Sequence, residues 1–400
     1  MKQVVNTDIA IIGGGIAGLW LLNRLRQLNY GAVLLESDTL GGGQSHKAQG
    51  IIHGGMKYAL QGVLTPATQA IADMPEVWNA CLSGKGLIDL QQVPVLSTKQ
   101  YLWAPGSLTA KLAGFFAGLA LKGNVEALDK KDYPSVFQHA AFKGQVYSLD
   151  EIVLDVNVLL RTLAMPYQEI IYKVDAFHDT HTQFDDKNHL TYFQANATPL
   201  PAVEIKAQKY IFVAGEGNEV ILKQLKHPVL NMQRRPLQMV MMKANFTYPL
   251  YAHCMGLGAT PRMTITSHIA HDGKMVWYMG GQISEEGVNR SPHEQIQIAK
   301  NELQELFPWL DFSAAEFATF FVNRAEPLQP DGKRPDSFFI KNIENTMIAW
   351  PTKLAFAPKL AEEIIQLLAE ENITPKANDL YALRAFPMPT FAKPIWDQLL

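Results

Sequence analysis

Asp8-Ile9-Ala10-Ile11-Ile12-Gly13-Gly14-Gly15-Ile16-Ala17-Gly18 decides how the rest of this chain is read. A short, mostly apolar run enters a glycine turn. Leu19-Trp20-Leu21-Leu22-Asn23-Arg24-Leu25 continues at helical spacing, and after Tyr30-Gly31 a second apolar run ends in Val33-Leu34-Leu35-Glu36. The pattern predicts a buried strand, a tight turn, a helix and a second buried strand. Gly13, Gly15 and Gly18 fill the GxGxxG spacing. The first permits the turn, the second lets backbone approach a pyrophosphate, and the third lets the helix pack closely on the strand. The helix N-terminus, with Ile16 and Ala17 in its first turn, turns N–H groups and a partial positive charge toward the phosphates. Glu36 ends the second strand, where a carboxylate accepts from both hydroxyls of an adenosine ribose. These features together predict a dinucleotide site. A glycine turn that binds nothing leaves Glu36 unexplained.

Bulk properties fit an enzyme. Four hundred residues favour two domains, and 48% hydrophobic with 18% charged residues is enough for a large core. A formal net charge of −3 gives no basic footprint for a nucleic acid. The two cysteines, Cys81 and Cys254, form no CxxC, so neither a disulfide framework nor a zinc site is expected. The chain enters its first strand too soon for a signal peptide. Its longest apolar run elsewhere, Leu108 to Leu121, is interrupted by Lys111 and too short to span a bilayer. The expected location is the cytoplasm, with peripheral contact at the inner membrane face as an option.

The residues after Glu36 select the dinucleotide. Ser37 and Asp38 lead into a second glycine turn, Gly41-Gly42-Gly43-Gln44-Ser45, and then Gly50-Ile51-Ile52-His53-Gly54-Gly55-Met56-Lys57-Tyr58. A nicotinamide domain normally continues into another amphipathic helix. Small residues here leave room for a flavin across the loop. Val174 closes a later short strand, and Lys209 to Val213 runs into Ala214-Gly215-Glu216-Gly217, where a strand should return beside the first.

On these segments the chain resembles the FAD-dependent D-amino-acid-oxidase-like superfamily. Ile51 to Tyr58 is similar to the IHGGLRY segment of FAD-dependent glycerol-3-phosphate dehydrogenases. Lys353-Leu354-Ala355-Phe356-Ala357-Pro358-Lys359-Leu360-Ala361-Glu362 is similar to their KLTTYRKLAE segment. Gln44, Gly50, Ile52 and His53 resemble a QxxxxxGxIHxG run of L-2-hydroxyglutarate dehydrogenase. Lys57 stands where the first segment carries arginine, and Trp350-Pro351-Thr352 where a glycine pair precedes the second. The resemblance implies an α/β and α+β architecture: a Rossmann-like FAD-binding domain of the GR2/DAO type with an inserted antiparallel-sheet substrate domain. It implies non-covalent FAD, held also by Thr352, Lys353 and Leu354 at the helix facing the flavin pyrimidine. Cys81, Cys254, His46 and His53 are the formal attachment points considered.

Periodicity divides the remainder. The discontinuous FAD domain is expected over 1–85, 150–233 and 322–372, the substrate domain over 86–149 and 234–321, and a Pro-rich tail over 373–400, as a surface strap in preference to an interface. Helices are expected over 64–82, 108–121, 150–163, 292–307 and after Lys353. Short strands are expected between Ile170 and Val213 and from Arg234 to Trp277, with Asp272-Gly273 as a hairpin turn. His178, His181 and His189 match no closed metal-ligand set, so no metal site is expected.

Only one Rossmann fingerprint is present, so a small anionic metabolite should itself reduce the flavin. A quinone, a carrier protein or dioxygen should reoxidise it. The expected substrate is a hydroxy acid or polyol phosphate. The alternatives are an amino-acid or amine substrate on the same fold, and a non-catalytic flavin scaffold. His53 is the candidate base. Arg324, Lys353, Arg262 and Lys57 are candidates for the substrate anion, because a guanidinium fork matches a carboxylate. Arg234 and Arg235, before Pro236, are weaker choices.

Overall fold

The first strand, Gln3–Ile12, lies between two parallel neighbours in a mixed sheet. Ala32–Glu36 pairs with one edge (Ile9↔Ala32) and Leu200–Phe212 with the other (Val5↔Ile205). This computed structural model describes residues 3–54, 71–106, 108, 125–225, 230–257, 260–376 and 379–400. The 13-residue strand Leu200–Phe212 divides its far edge. Its first half pairs antiparallel with Leu190–Ala197 and its last residues pair parallel with Thr346–Trp350. Apolar side chains alternate to both faces. The helix Ile16–Gln27 covers one face with Leu19, Leu22 and Leu25 fully buried, and Phe193, Tyr210 and Phe212 fill the other.

Two close approaches explain the glycine spacing. A Cβ on Gly13 would meet the Ala214 backbone at 2.7 Å, and Gly13 has φ +121°. A Cβ on Gly18 would meet the Gly13 carbonyl oxygen at 1.9 Å. The turn between Gln3–Ile12 and the helix can therefore pass under Ala214 only without side chains.

A second eight-stranded sheet is antiparallel except for one parallel pair, Gln100–Trp103 with Ala252–Cys254. Its longest pair is Met232–Ala244 with Glu316–Pro327. The helix Pro292–Leu306 packs on it, started by a Ser291/Glu294 capping box and Pro292. Trp103, Trp277 and Phe307 fill the core between them. Met263–Ile269 and Met275–Gly280 form the expected hairpin around Asp272-Gly273. The segment 379–400 is a strap. Leu40 exchanges backbone hydrogen bonds with Thr390 and Ala392, and further on Trp396 packs beside Tyr278 of the second sheet.

Several expectations need correction. The run 150–163 is not one helix. Ile152–Leu154 is a buried strand paired with Ile51–Ile52, and the helix is Val156–Ala164, started where Asp155 accepts from the N–H groups of Asn157 and Val158. Arg234 and Arg235 lie within the strand Met232–Ala244. The methionines 239, 241 and 242 are buried core, as their apolar run suggests. Met74–Leu82 is helical. The expectations for Gly55, Lys57 and Tyr58, for 64–70 and for 109–121 lie outside the described residues. Among the described residues no helix is long and apolar enough to cross a membrane.

Candidate active site

A cavity of about 700 Å³ lies between the two sheets. One end is the glycine turn, with Gly13, Gly15, Ile16 and Ala17 on its wall together with Glu36 and Ser37. The Glu36 carboxylate accepts the Gly14 N–H at 2.6 Å and the Asp38 N–H at 2.7 Å. Burial raises its pKa and outweighs these two hydrogen bonds, which lower it. Gly42, Gly43, Gln44, Ser45 and Gly50 line the adjoining wall. The Ser45 hydroxyl accepts the Ile16 N–H at 3.0 Å, so it sits at the helix N-terminus. Gly41 N–H donates to the Gly14 carbonyl at 2.9 Å, locking the second glycine turn to the first. Val174, Ala214 and Gly215 form the next part of the wall.

Gly18 and Ile52 do not reach this wall. Gly18 is the contact between helix and strand, and Ile52 is fully buried in the core. His46 is buried, with Nδ1 2.9 Å from the Gly41 carbonyl, and burial lowers its pKa.

The cavity wall also draws on the second sheet and the last cofactor segment. His53, Arg324, Arg334, Thr352, Lys353 and Leu354 line it. Gln49 braces the loop before His53 by donating to the Tyr278 carbonyl at 2.9 Å, and the Tyr278 hydroxyl donates to Lys47 O at 2.7 Å. Arg324 lies directly opposite Arg235 in strand register, an unfavourable pairing of like charges. The Glu326 carboxylate takes Arg235 bidentately, with both contacts 2.7 Å, while Arg324 faces the cavity. Burial, and then the nearby Arg235, brings the Arg324 guanidinium down to about 10. Lys353 is only 8% exposed, with Nζ 4.9 Å from the Phe356 ring centre. It precedes the short turn Leu354–Phe356 and the helix Ala357–Glu370, whose first turn accommodates Pro358.

Arg262 is not at this site. Its guanidinium is held by Glu302 at 2.5 Å and Glu305 at 2.9 Å, both on the helix Pro292–Leu306, and it does not line the cavity. Those carboxylates raise its pKa. Arg234 pairs with Glu216 and Glu219. His181 lies 2.9 Å from the Asn196 amide, and His189 pairs with Asp185 and Glu344.

Sequence reasoning missed three groups here. Arg334 lines the cavity; its place in an Arg-Pro-Asp turn ahead of the last hairpin was the available signal. Glu151 and His253 lie beside His53, with ligating atoms of all three within 4.8 Å of one another. No spacing in the sequence links them.

The cavity suits FAD on the structure's own terms. It has the volume for a large ligand, a side-chain-free turn at a helix N-terminus for the pyrophosphate, and a carboxylate beyond it for the ribose. The comparisons agree. The family model for FAD dependent oxidoreductases (DAO) matches residues 8–350. A probable FAD-dependent oxidoreductase of Pseudomonas aeruginosa is 45% identical over 99% of both chains. The crystal structure of the FAD dependent oxidoreductase from that organism superposes with a TM-score of 0.85, at 41% identity over 100% of this chain and 99% of that one. Glycine oxidase from Geobacillus kaustophilus follows at 15% identity and TM-score 0.65, covering 97% of this chain and 100% of that one. L-α-glycerophosphate oxidase from Mycoplasma pneumoniae, with FAD bound, has 16% identity and TM-score 0.62 over 96% and 99%. The last two likenesses carry the fold alone and single out neither glycerol-3-phosphate nor L-2-hydroxyglutarate dehydrogenases. The chain belongs to the DAO family of FAD dependent oxidoreductases and is an FAD-dependent enzyme.

Proposed function

We propose that this enzyme oxidises a small molecule with an anionic end and a hydroxyl on the reacting carbon, a hydroxy acid or a polyol phosphate. One observation carries the reading: His53 lines the same cavity as Arg324, Arg334 and Lys353. Bound FAD supplies the hydride acceptor. The protein's own groups then have three tasks. Arg324 and Arg334 hold the anion, for which a guanidinium fork has the right geometry. His53 takes the hydroxyl proton. Lys353, with the helix that follows it, favours negative charge at the flavin end of the cavity. Glu36, Ser45 and the turn from Gly13 to Gly18 hold the adenosine diphosphate half. FAD attachment is non-covalent in this reading: Cys81 and Cys254 are buried off the cavity wall, His46 is buried against Gly41, and His53, on the wall, is assigned to the proton. A quinone, a carrier protein or dioxygen reoxidises the flavin.

The same arginines suit the carboxylate of an amino acid, which keeps amine oxidation as a second reading. A neutral amine needs no strong base, so His53 separates the two. The deciding experiment is anaerobic bleaching of the flavin by a panel of 2-hydroxy acids, polyol phosphates and amino acids, with wild type and His53→Gln. Bleaching by a hydroxy compound that is slowed in the variant supports the first reading. Bleaching only by amino acids, unaffected by the substitution, supports the second.

A further inference from the structure

Strand register builds a second layer behind His53. Ile51 pairs with Val153 and Ile52 with Ile152, so the next antiparallel step sets residue 53 against residue 151. The side chains meet there: His53 Nδ1 lies 3.0 Å from Glu151 Oε2. Glu151 Oε1 accepts the Gly54 N–H at 3.1 Å, and the residue is 1% exposed. His253 closes the layer from the second sheet. Its ring lies 6.1 Å from that of His53 at an interplanar angle of 26°, and its Nδ1 is 2.8 Å from the Thr264 hydroxyl.

Two histidines and a glutamate could also hold a metal ion, their ligating atoms lying within 4.8 Å of one another. His53 Nδ1, both Glu151 oxygens and His253 Nδ1 have hydrogen-bond partners within the protein, and the first of these contacts bears on the tautomer of His53. A carboxylate that is only an acceptor requires the proton of a 3.0 Å contact to sit on Nδ1.

We propose that Glu151 is a positioning residue that holds His53 in the Nδ1–H tautomer, which puts the basic lone pair on Nε2. This rests on His53 being the base of the proposed reaction. The substrate O–H bond breaks and its proton bonds to Nε2. The O–H electron pair becomes the second bond of the carbonyl, while the C–H pair leaves as the hydride taken up in flavin reduction. The imidazolium so formed lies against the Glu151 carboxylate, which stabilises it without taking the proton.

The test is the tautomer itself, read from two-bond proton–nitrogen correlations of ¹⁵N-histidine holoenzyme in mildly alkaline buffer, with His53→Gln assigning the signal. Wild-type His53 should be the Nδ1–H form. Glu151→Ala should shift it toward the Nε2–H form that free imidazole favours. Glu151→Gln, which keeps a carbonyl acceptor, should restore Nδ1–H. With the substrate found by the bleaching panel, Glu151→Ala should slow first-order flavin reduction roughly 10-fold or more while changing apparent affinity less. An Nε2–H form of His53 in the wild type overturns the proposal and needs no Glu151 variant that folds. So does an unchanged tautomer in Glu151→Ala, or a stoichiometric metal that is lost with Glu151 or His253. If His53→Gln reduces flavin at the wild-type rate, the base reading fails, and this proposal with it. If His53→Gln is slow but the tautomer ignores Glu151, only the role of Glu151 fails.

Discussion

The Gly14 N–H donates to the Glu36 carboxylate over 2.6 Å, joining the glycine turn to the end of the second strand. The acid expected to recognise the ribose therefore also shapes the turn expected to cradle the pyrophosphate. Glu36→Ala removes an acceptor from two N–H groups, those of Gly14 and Asp38. Losing one hydrogen bond to a charged group costs about 1.5–3 kcal/mol, so FAD affinity should fall at least roughly 10- to 100-fold. Titrating apoprotein with FAD by flavin fluorescence measures this. Affinity equal to wild type would remove Glu36 from the cofactor site.

Arg324 and Arg262 provide a matched pair. Both were candidates for the substrate anion, but only Arg324 lines the cavity. Arg324→Met should raise the apparent Kd for the reactive acid roughly 10- to 100-fold, the loss expected for a charge-assisted hydrogen bond, and leave FAD bound. Arg262→Met should leave flavin reduction unchanged. Its pairs with Glu302 and Glu305 are partly exposed, so its stability cost should not exceed about 1 kcal/mol. Stopped-flow reduction and thermal melts of both variants check this. A defect in reduction for Arg262→Met would return that residue to the site.

His268 gives the fold a built-in acid sensitivity. Its ring stacks on Trp396 of the strap with centroids 4.2 Å apart, and burial lowers its pKa from 6.5 to about 3. Between those values the unfolded chain binds a proton that the folded chain excludes. The contribution is complete above the unfolded pKa and is lost as pH falls toward 3. The slope from this one group can reach roughly 1.4 kcal/mol per pH unit. His268→Gln should flatten the dependence of urea midpoints across that window. Equal slopes in variant and wild type would show that His268 is not the sensor.

The strand–turn–helix–strand unit beside the cavity was legible because its information is local. Gly13, Gly15, Gly18 and Glu36 fall within that one unit, at the spacing expected of a phosphate and ribose cradle. The surroundings of the base were not legible. Glu151 is 98 residues from His53, and strand register alone brings them together. The same strand was misread as helix, because three buried residues are too few to show a two-residue period before Asp155 starts the helix. Arg262 shows the complementary failure. An arginine ahead of an alternating strand looks the same in sequence whether it faces a cavity or two glutamates on a packed helix.

Lys353 offers the sharpest test of the flavin end. Its position on the cavity wall, at 8% exposure, sets it apart from an ordinary surface lysine. A buried cation beside the start of the helix Ala357–Glu370 adds to the partial positive charge of that helix, and both favour an anionic reduced flavin or a bound acid. Lys353→Met keeps the apolar stem over Phe356 and removes the charge. The expected loss is on the order of 1–3 kcal/mol, which corresponds to a two-electron midpoint potential lower by roughly tens of millivolts. Affinity for sulfite, which adds to flavin as an anion, should weaken in parallel. Both are measured on FAD-replete protein, by redox titration and by sulfite bleaching. If neither changes while FAD is retained, the charge does not act on the flavin, and the likeness of 353–362 to the KLTTYRKLAE segment has no functional content in this protein.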